Sequence, residues 1–201
     1  MICIPLSYGV YFTIGNISND LIGSIFFLLI LLVPTLYFSN LDYKLIFQKP
    51  TKNEIMLAVL MFIAYIIYST IFSSIVPANT IPAVGNNGTD AIELFSMIFK
   101  MMAEELLKFI PLMFLLRVFY KYTSNRQLSI IASSIITLIY FGAIHSIDGT
   151  NIISVLIIQG AGLVFHLYAY LKTKNLFVSY LSHLMTDAFV TLLMILGMVA
   201  G

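Results

Sequence analysis

Long apolar runs alternate with short polar breaks from one end of the chain to the other. The runs are Ile2–Gly15, Leu21–Phe38, Ile55–Val76, Ile92–Leu116, Leu128–His145, Ile152–Leu171 and Leu176–Ala200. The breaks are Asn16–Asp20, Asn40–Glu54, Pro77–Asp90, Lys121–Gln127, Ser146–Asn151 and Lys172–Asn175. A helix needs about 20 apolar residues to cross the hydrocarbon core, so the pattern predicts an all-α polytopic bundle of about seven transmembrane helices. The first run is expected to be a short or clipped span. It has no Lys or Arg ahead of it and no small-residue cleavage site, so it does not read as a signal peptide. Pro77–Gly88, rich in Pro, Asn and Gly, is the one long loop and is expected to be a lid or a disordered connection. No internal repeat stands out.

Composition agrees with the pattern. Of 201 residues, 60% are hydrophobic and 9% charged, and the mean hydropathy is +1.00. Soluble domains carry about 25% charged residues, so the expected environment is the lipid bilayer, with little soluble mass. The net charge of +1 and the lack of a basic stripe argue against a nucleic-acid partner. The lone Cys3 excludes an internal disulfide and a cysteine-based zinc cage.

The few cations fix an expected orientation. Lys44, Lys49 and Lys52 lie in one break, Arg117, Lys121 and Arg126 in or beside another, and Lys172 and Lys174 in a third. The alternate breaks Asn16–Asp20, Pro77–Asp90 and Ser146–Asn151 hold no Lys or Arg. Seven spans put all these cations on one side, which the positive-inside rule makes cytoplasmic. The N-terminus is then expected inside and the C-terminus outside.

Candidate chemistry lies within the apolar runs. Glu104 and Glu105 stand between Phe95, Met97, Ile98 and Phe99 on one side and Leu106, Leu107, Phe109 and Ile110 on the other. An ionised carboxylate at the bilayer centre costs roughly 2.5–3.5 kcal/mol, so such residues mark working sites. Residues four apart share a helix face, which aligns Lys100, Glu104 and Lys108 and turns Glu105 away by about 100°. A buried ion-pair ladder would explain the lysines, but the second glutamate is harder to explain, because membrane helices pack more cheaply through Gly, Ala and Ser. Lys108 can reach either acid and is assigned mainly to Glu105.

Phe141 and His145 share one face, and His183 and Asp187 another. A lone intramembrane histidine is often only an interhelical hydrogen-bonding group. His166, with no acid at i±4, is expected to be structural for that reason. His183 has Asp187 one turn on, which can orient an imidazole or complete a metal shell. His145 ends its run beside the turn Ser146-Ile-Asp-Gly149.

Taken in order, Glu104-Glu105, Phe141-x-x-x-His145 and His183-x-x-x-Asp187 resemble the CAAX-protease and bacteriocin-processing intramembrane proteases, the CPBP or Abi family of type II CAAX prenyl endopeptidases. The stretch from Gly162 to Leu176 also looks like that family's penultimate helix and turn. The resemblance covers roughly 92–190. It implies one integral membrane domain over 1–201, with its catalytic core at 92–190 and accessory helices in 1–91. It further implies that Glu104 and His145 activate water, and that His183 with Asp187 supports an oxyanion or a metal; Glu105 joins them as a candidate catalytic residue. One position departs from the family. The first motif is usually E-E-x-x-x-R, whereas Phe109 holds the arginine position here and Lys108 precedes it.

The expected reaction is hydrolysis of a peptide bond in a membrane-associated, prenylated or leader peptide. Two chemistries fit. In one, His145, His183 and Asp187 hold a zinc-like ion; in the other, Glu104 and His145 share a water while His183 donates to the oxyanion. An ionised Asp187 cannot donate. Two other classes use the same residues: an ion-coupled transporter, which commonly shows repeats and broken helices, and a catalytically silent scaffold of the same fold. Helix depth raises a question as well. At 1.5 Å per residue, Glu104 lies roughly 20–25 Å from Arg117 and Lys121, but His183 only about 13 Å from Lys174. The two can meet only if helices tilt or the Lys172–Asn175 turn sits deep.

Overall fold

The computed structural model describes residues 2–17, 20–76, 91–146 and 151–196. The loop Pro77–Gly88 and residues 147–150 of the turn after His145 lie outside them. The described chain forms seven helices and no strand: α1 Cys3–Ile17, α2 Asp20–Phe38, α3 Lys52–Ser73, α4 Ala91–Thr123, α5 Arg126–Ile144, α6 Ile152–Thr173 and α7 Leu176–Ile195. Five of them, α2, α3, α5, α6 and α7, are long and apolar enough to span a membrane. α1 is apolar but shorter. α4, the longest at 33 residues, carries Lys100, Glu104, Glu105 and Lys108 through its middle.

Side-chain chemistry sets the helix starts. Thr51 and Glu54 close a capping box on α3, with the Thr51 N–H donating to Glu54 at 2.7 Å. Asn125 caps α5 by accepting from Leu128 N–H, and Asn175 caps α7 by accepting from Phe177 N–H.

α4 is the hub, packing on α2, α5 and α7, while α3 packs on α6 and α7. α5 turns a stripe of Ser129, Ser133, Thr137 and Phe141 inward, each four residues from the last and so on one face. The opposite pattern appears on α3, where Met56, Leu60, Ile63, Ile67 and Ile71 are 45–61% exposed. Such a ladder would be unfavourable in water but is at home against acyl chains. The protein is an integral, multi-pass membrane protein.

α5 and α6 approach through glycine. A Cβ on Gly142 would lie 3.0 Å from Gly160 Cα and 3.1 Å from Val155 O, so only hydrogen fits between the two backbones. α6 is not uniform there: it widens into a π turn over Leu156–Gly160 and tightens into a 3-10 turn over Ala161–Leu163. Tyr68 of α3 donates its hydroxyl to the Ile157 carbonyl at 2.8 Å, satisfying a carbonyl in this irregular stretch.

The α6–α7 turn is tied to chain from the other half of the molecule. Asn175 is buried and fastened to the segment after α2: it accepts from Gln48 N–H at 3.1 Å and donates to the Gln48 carbonyl at 2.8 Å. Leu176 N–H donates to the Ile46 carbonyl at 3.0 Å. The turn is thus roofed by chain from another element, and the packing of α7 on α4 brings His183 to Glu105.

Candidate active site

Glu104 and Glu105 are both buried, but α4 gives them different surroundings. Glu105 is saturated with donors. Its Oε1 pairs with Lys108 Nζ and takes a hydrogen bond from His183 Nδ1 at 2.8 Å. Its Oε2 accepts from the Ser179 hydroxyl at 2.6 Å. Glu104 takes no hydrogen bond from the described residues. Its Oε2 lies 3.9 Å from His183 Nε2.

His183 stands between the two acids. A carboxylate only accepts, so the bond to Glu105 puts a proton on Nδ1; in the neutral imidazole the Nε2 lone pair then faces Glu104. Asp187 Oδ2 lies 3.8 Å from the same Nε2 and is partly exposed. The carboxylate that orients His183 is therefore Glu105, not Asp187 as the i,i+4 spacing suggests. The reason is the packing of α7 on α4, which brings Nδ1 onto an acid of another helix.

Lys108 also follows the acid on the next face. It pairs with Glu105 and lies 5.1 Å from the Phe141 ring. Phe109, at the family's arginine position, packs edge-on against Tyr170 at 5.4 Å. Lys100 makes no ion pair with Glu104; its ammonium stands 5.6 Å from the Tyr11 ring. Tyr11 and Ser96 both donate to Asp20, at 2.8 and 2.6 Å.

The structure brings Glu104, Glu105, His183 and Asp187 together. His145 is placed one ring away: its imidazole packs 4.6 Å from Phe141, whose other neighbour is Lys108. His145 Nδ1 donates to the Phe141 carbonyl at 2.8 Å, which leaves Nε2 as its basic nitrogen in the neutral ring. Among the described residues no group of three or more His, Cys, Asp or Glu side chains has the arrangement of a metal site. His145, His183 and Asp187 are not gathered into such a group among the described residues.

Three neighbours escaped the motif reading. His166 is fully buried, stacks on His183 at 5.2 Å, packs tilted against Tyr65 at 5.1 Å, and hydrogen-bonds Ser182 through Nδ1 at 2.8 Å. It belongs to the wall of the site even though no acid stands one turn away. Ser179, the donor to Glu105, also lies 2.9 Å from the His166 carbonyl. It precedes His183 by four residues, so its shared face was legible. Tyr65, from α3, gave no local signal.

Residues 91–189 match the family model described as type II CAAX prenyl endopeptidase Rce1-like. Over those residues the chain belongs to that family. No curated protein and no solved structure matches the chain. The Rce1-like segment runs from α4 almost to the end of α7 and contains all the acids and imidazoles of the site. At family level it is an intramembrane CAAX endopeptidase. Chain outside the segment still buttresses it, through Tyr65 of α3 on His166 and Gln48 of the segment after α2 on Asn175.

Proposed function

We propose that the protein hydrolyses a peptide bond of a membrane-associated, prenylated or leader peptide with water held by Glu104 and His183. One observation carries the reading, namely the division of labour between the neighbouring glutamates. Glu105 spends both oxygens on Lys108, Ser179 and His183. Glu104 faces the lone pair of His183 across 3.9 Å. Two acceptors do not hydrogen-bond each other, and a separation of that size asks for a bridging water. Such a water gives one hydrogen to each and keeps an oxygen lone pair for attack.

Glu104 takes the proton as the water oxygen bonds to the scissile carbonyl carbon. The carbonyl electrons move to oxygen, and on collapse the C–N bond breaks as the proton passes to the leaving amine. Glu105 holds the His183 ring and stabilises any positive charge it acquires, as the buried acid does in a serine-protease triad. The resemblance adds His145 to the water or to the departing amine, with Nε2 as the reacting nitrogen. Asp187 bounds the same space. The basic loops are read as cytoplasmic.

The test is cleavage of prenylated and leader peptides by purified protein in nanodiscs, with and without chelator. Glu104→Gln should lower kcat by about 10²–10⁴-fold with the melting temperature unchanged. A fully active Glu104→Gln enzyme would sink the proposal. Loss of wild-type activity on chelation would move the water onto a metal.

A further inference from the structure

Where the start of α5 and the end of α6 meet α4, they enclose a cleft of about 210 Å³. Its apolar wall includes Leu112, Leu116, Ile130 and Leu171, and two cations, Arg126 and Lys174, line it as well. No described acid lines the cleft, and neither cation forms an ion pair with a described acid.

The two cations are held together against their own repulsion. The Lys174 ammonium is pushed below its usual range, first by desolvation and then by Arg126. Lys174 is exposed, and its ammonium donates to the Leu171 carbonyl at 2.5 Å. Lys174 also adopts a left-handed backbone with φ 60°, where glycine carries less strain. A lysine at the end of α6 is explained by the helix dipole, but Arg126 opens α5, the end where a cation is disfavoured. Two like charges, one of them at a helix N-terminus, leave the site short of an anion.

We propose that this cleft binds an anionic phospholipid of the surrounding leaflet. The phosphate sits between Arg126 and Lys174, and the first acyl carbons lie against Leu112, Leu116, Ile130 and Leu171. Basic pockets between helices at the membrane boundary suit such headgroups, and the apolar wall favours a lipid over a free anion. The site is independent of the peptidase reading, although Leu112 and Tyr170 also line the narrow pocket beside Glu105 and Lys108.

The experiment is native mass spectrometry and thermal melting of the full chain in nonionic detergent, titrated with phosphatidylglycerol, phosphatidylcholine or inorganic phosphate. Phosphatidylglycerol should bind and raise the melting temperature, whereas the other two should not. Arg126→Gln and Lys174→Gln should each weaken binding about tenfold. Their lipid-free melting temperature should hold or rise, because a repulsion is removed, and Arg126→Lys should keep the lipid. Equal binding of phosphatidylcholine, equal protection by inorganic phosphate, or unchanged binding to the double Gln variant would each overturn the proposal. So would a double variant that loses peptide cleavage but keeps the lipid, since the cations would then serve the substrate.

Discussion

Adjacent side chains on a helix diverge by about 100°, and that angle separates the roles of Glu104 and Glu105. Glu105 points at Lys108, Ser179 and His183; Glu104 points at His183 Nε2 across 3.9 Å. Lys108→Met would leave a buried acid without its cation, at a cost of about 3–5 kcal/mol. The variant should melt earlier and lose activity, and Lys108→Arg should preserve both. Glu105→Gln with Lys108→Met should regain stability, because both halves become neutral together. An unchanged melting temperature for Lys108→Met in detergent would refute the pairing. His166 calls for a separate test. His166→Ala removes a ring stacked on His183 and orphans Ser182, so stability should fall by about 1–3 kcal/mol and kcat should fall with it. His166→Phe should restore more kcat than stability, since it returns the stacking face without the hydrogen bond.

Single elements are held in register by a few polar locks. Asn175 caps α7 and joins Gln48 through two hydrogen bonds, so it fixes both where the helix begins and which neighbouring segment it is tied to. Asn175→Ala should cost about 1–2 kcal/mol in thermal unfolding, from a lost cap and lost hydrogen bonds to the Gln48 backbone. Activity should fall further than stability predicts, because His183 moves with α7. Full activity in a folded Asn175→Ala protein would show that another contact places His183. The seven helices themselves were legible as apolar runs between breaks, because a bilayer demands long apolar helices and tolerates little else. The π turn of α6 was not legible, since it arises where Gly142 and Gly160 bring two backbones into contact.

At the scale of the molecule, the basic breaks gather at one end of the bundle. Gln48 touches Asn175, and Arg126 and Lys174 share a cleft, as alternating spans require. In a Cys3→Ser background, a cysteine at Gln48 should resist an impermeant thiol reagent in intact cells, and one at Ser74 should react. The reverse labelling would invert the topology. The sequence by itself determined the all-α membrane architecture, the shared side of the cations and the candidate set Glu104, Glu105, His145, His183 and Asp187. Those features follow from periodicity, hydropathy and charge, which are properties of local chain. Tertiary structure alone decided which acid orients His183, that His166 and Tyr65 stand behind it, and that chain after α2 roofs the α6–α7 turn. Each of those contacts joins separate elements, and no spacing within one helix encodes a neighbour on another.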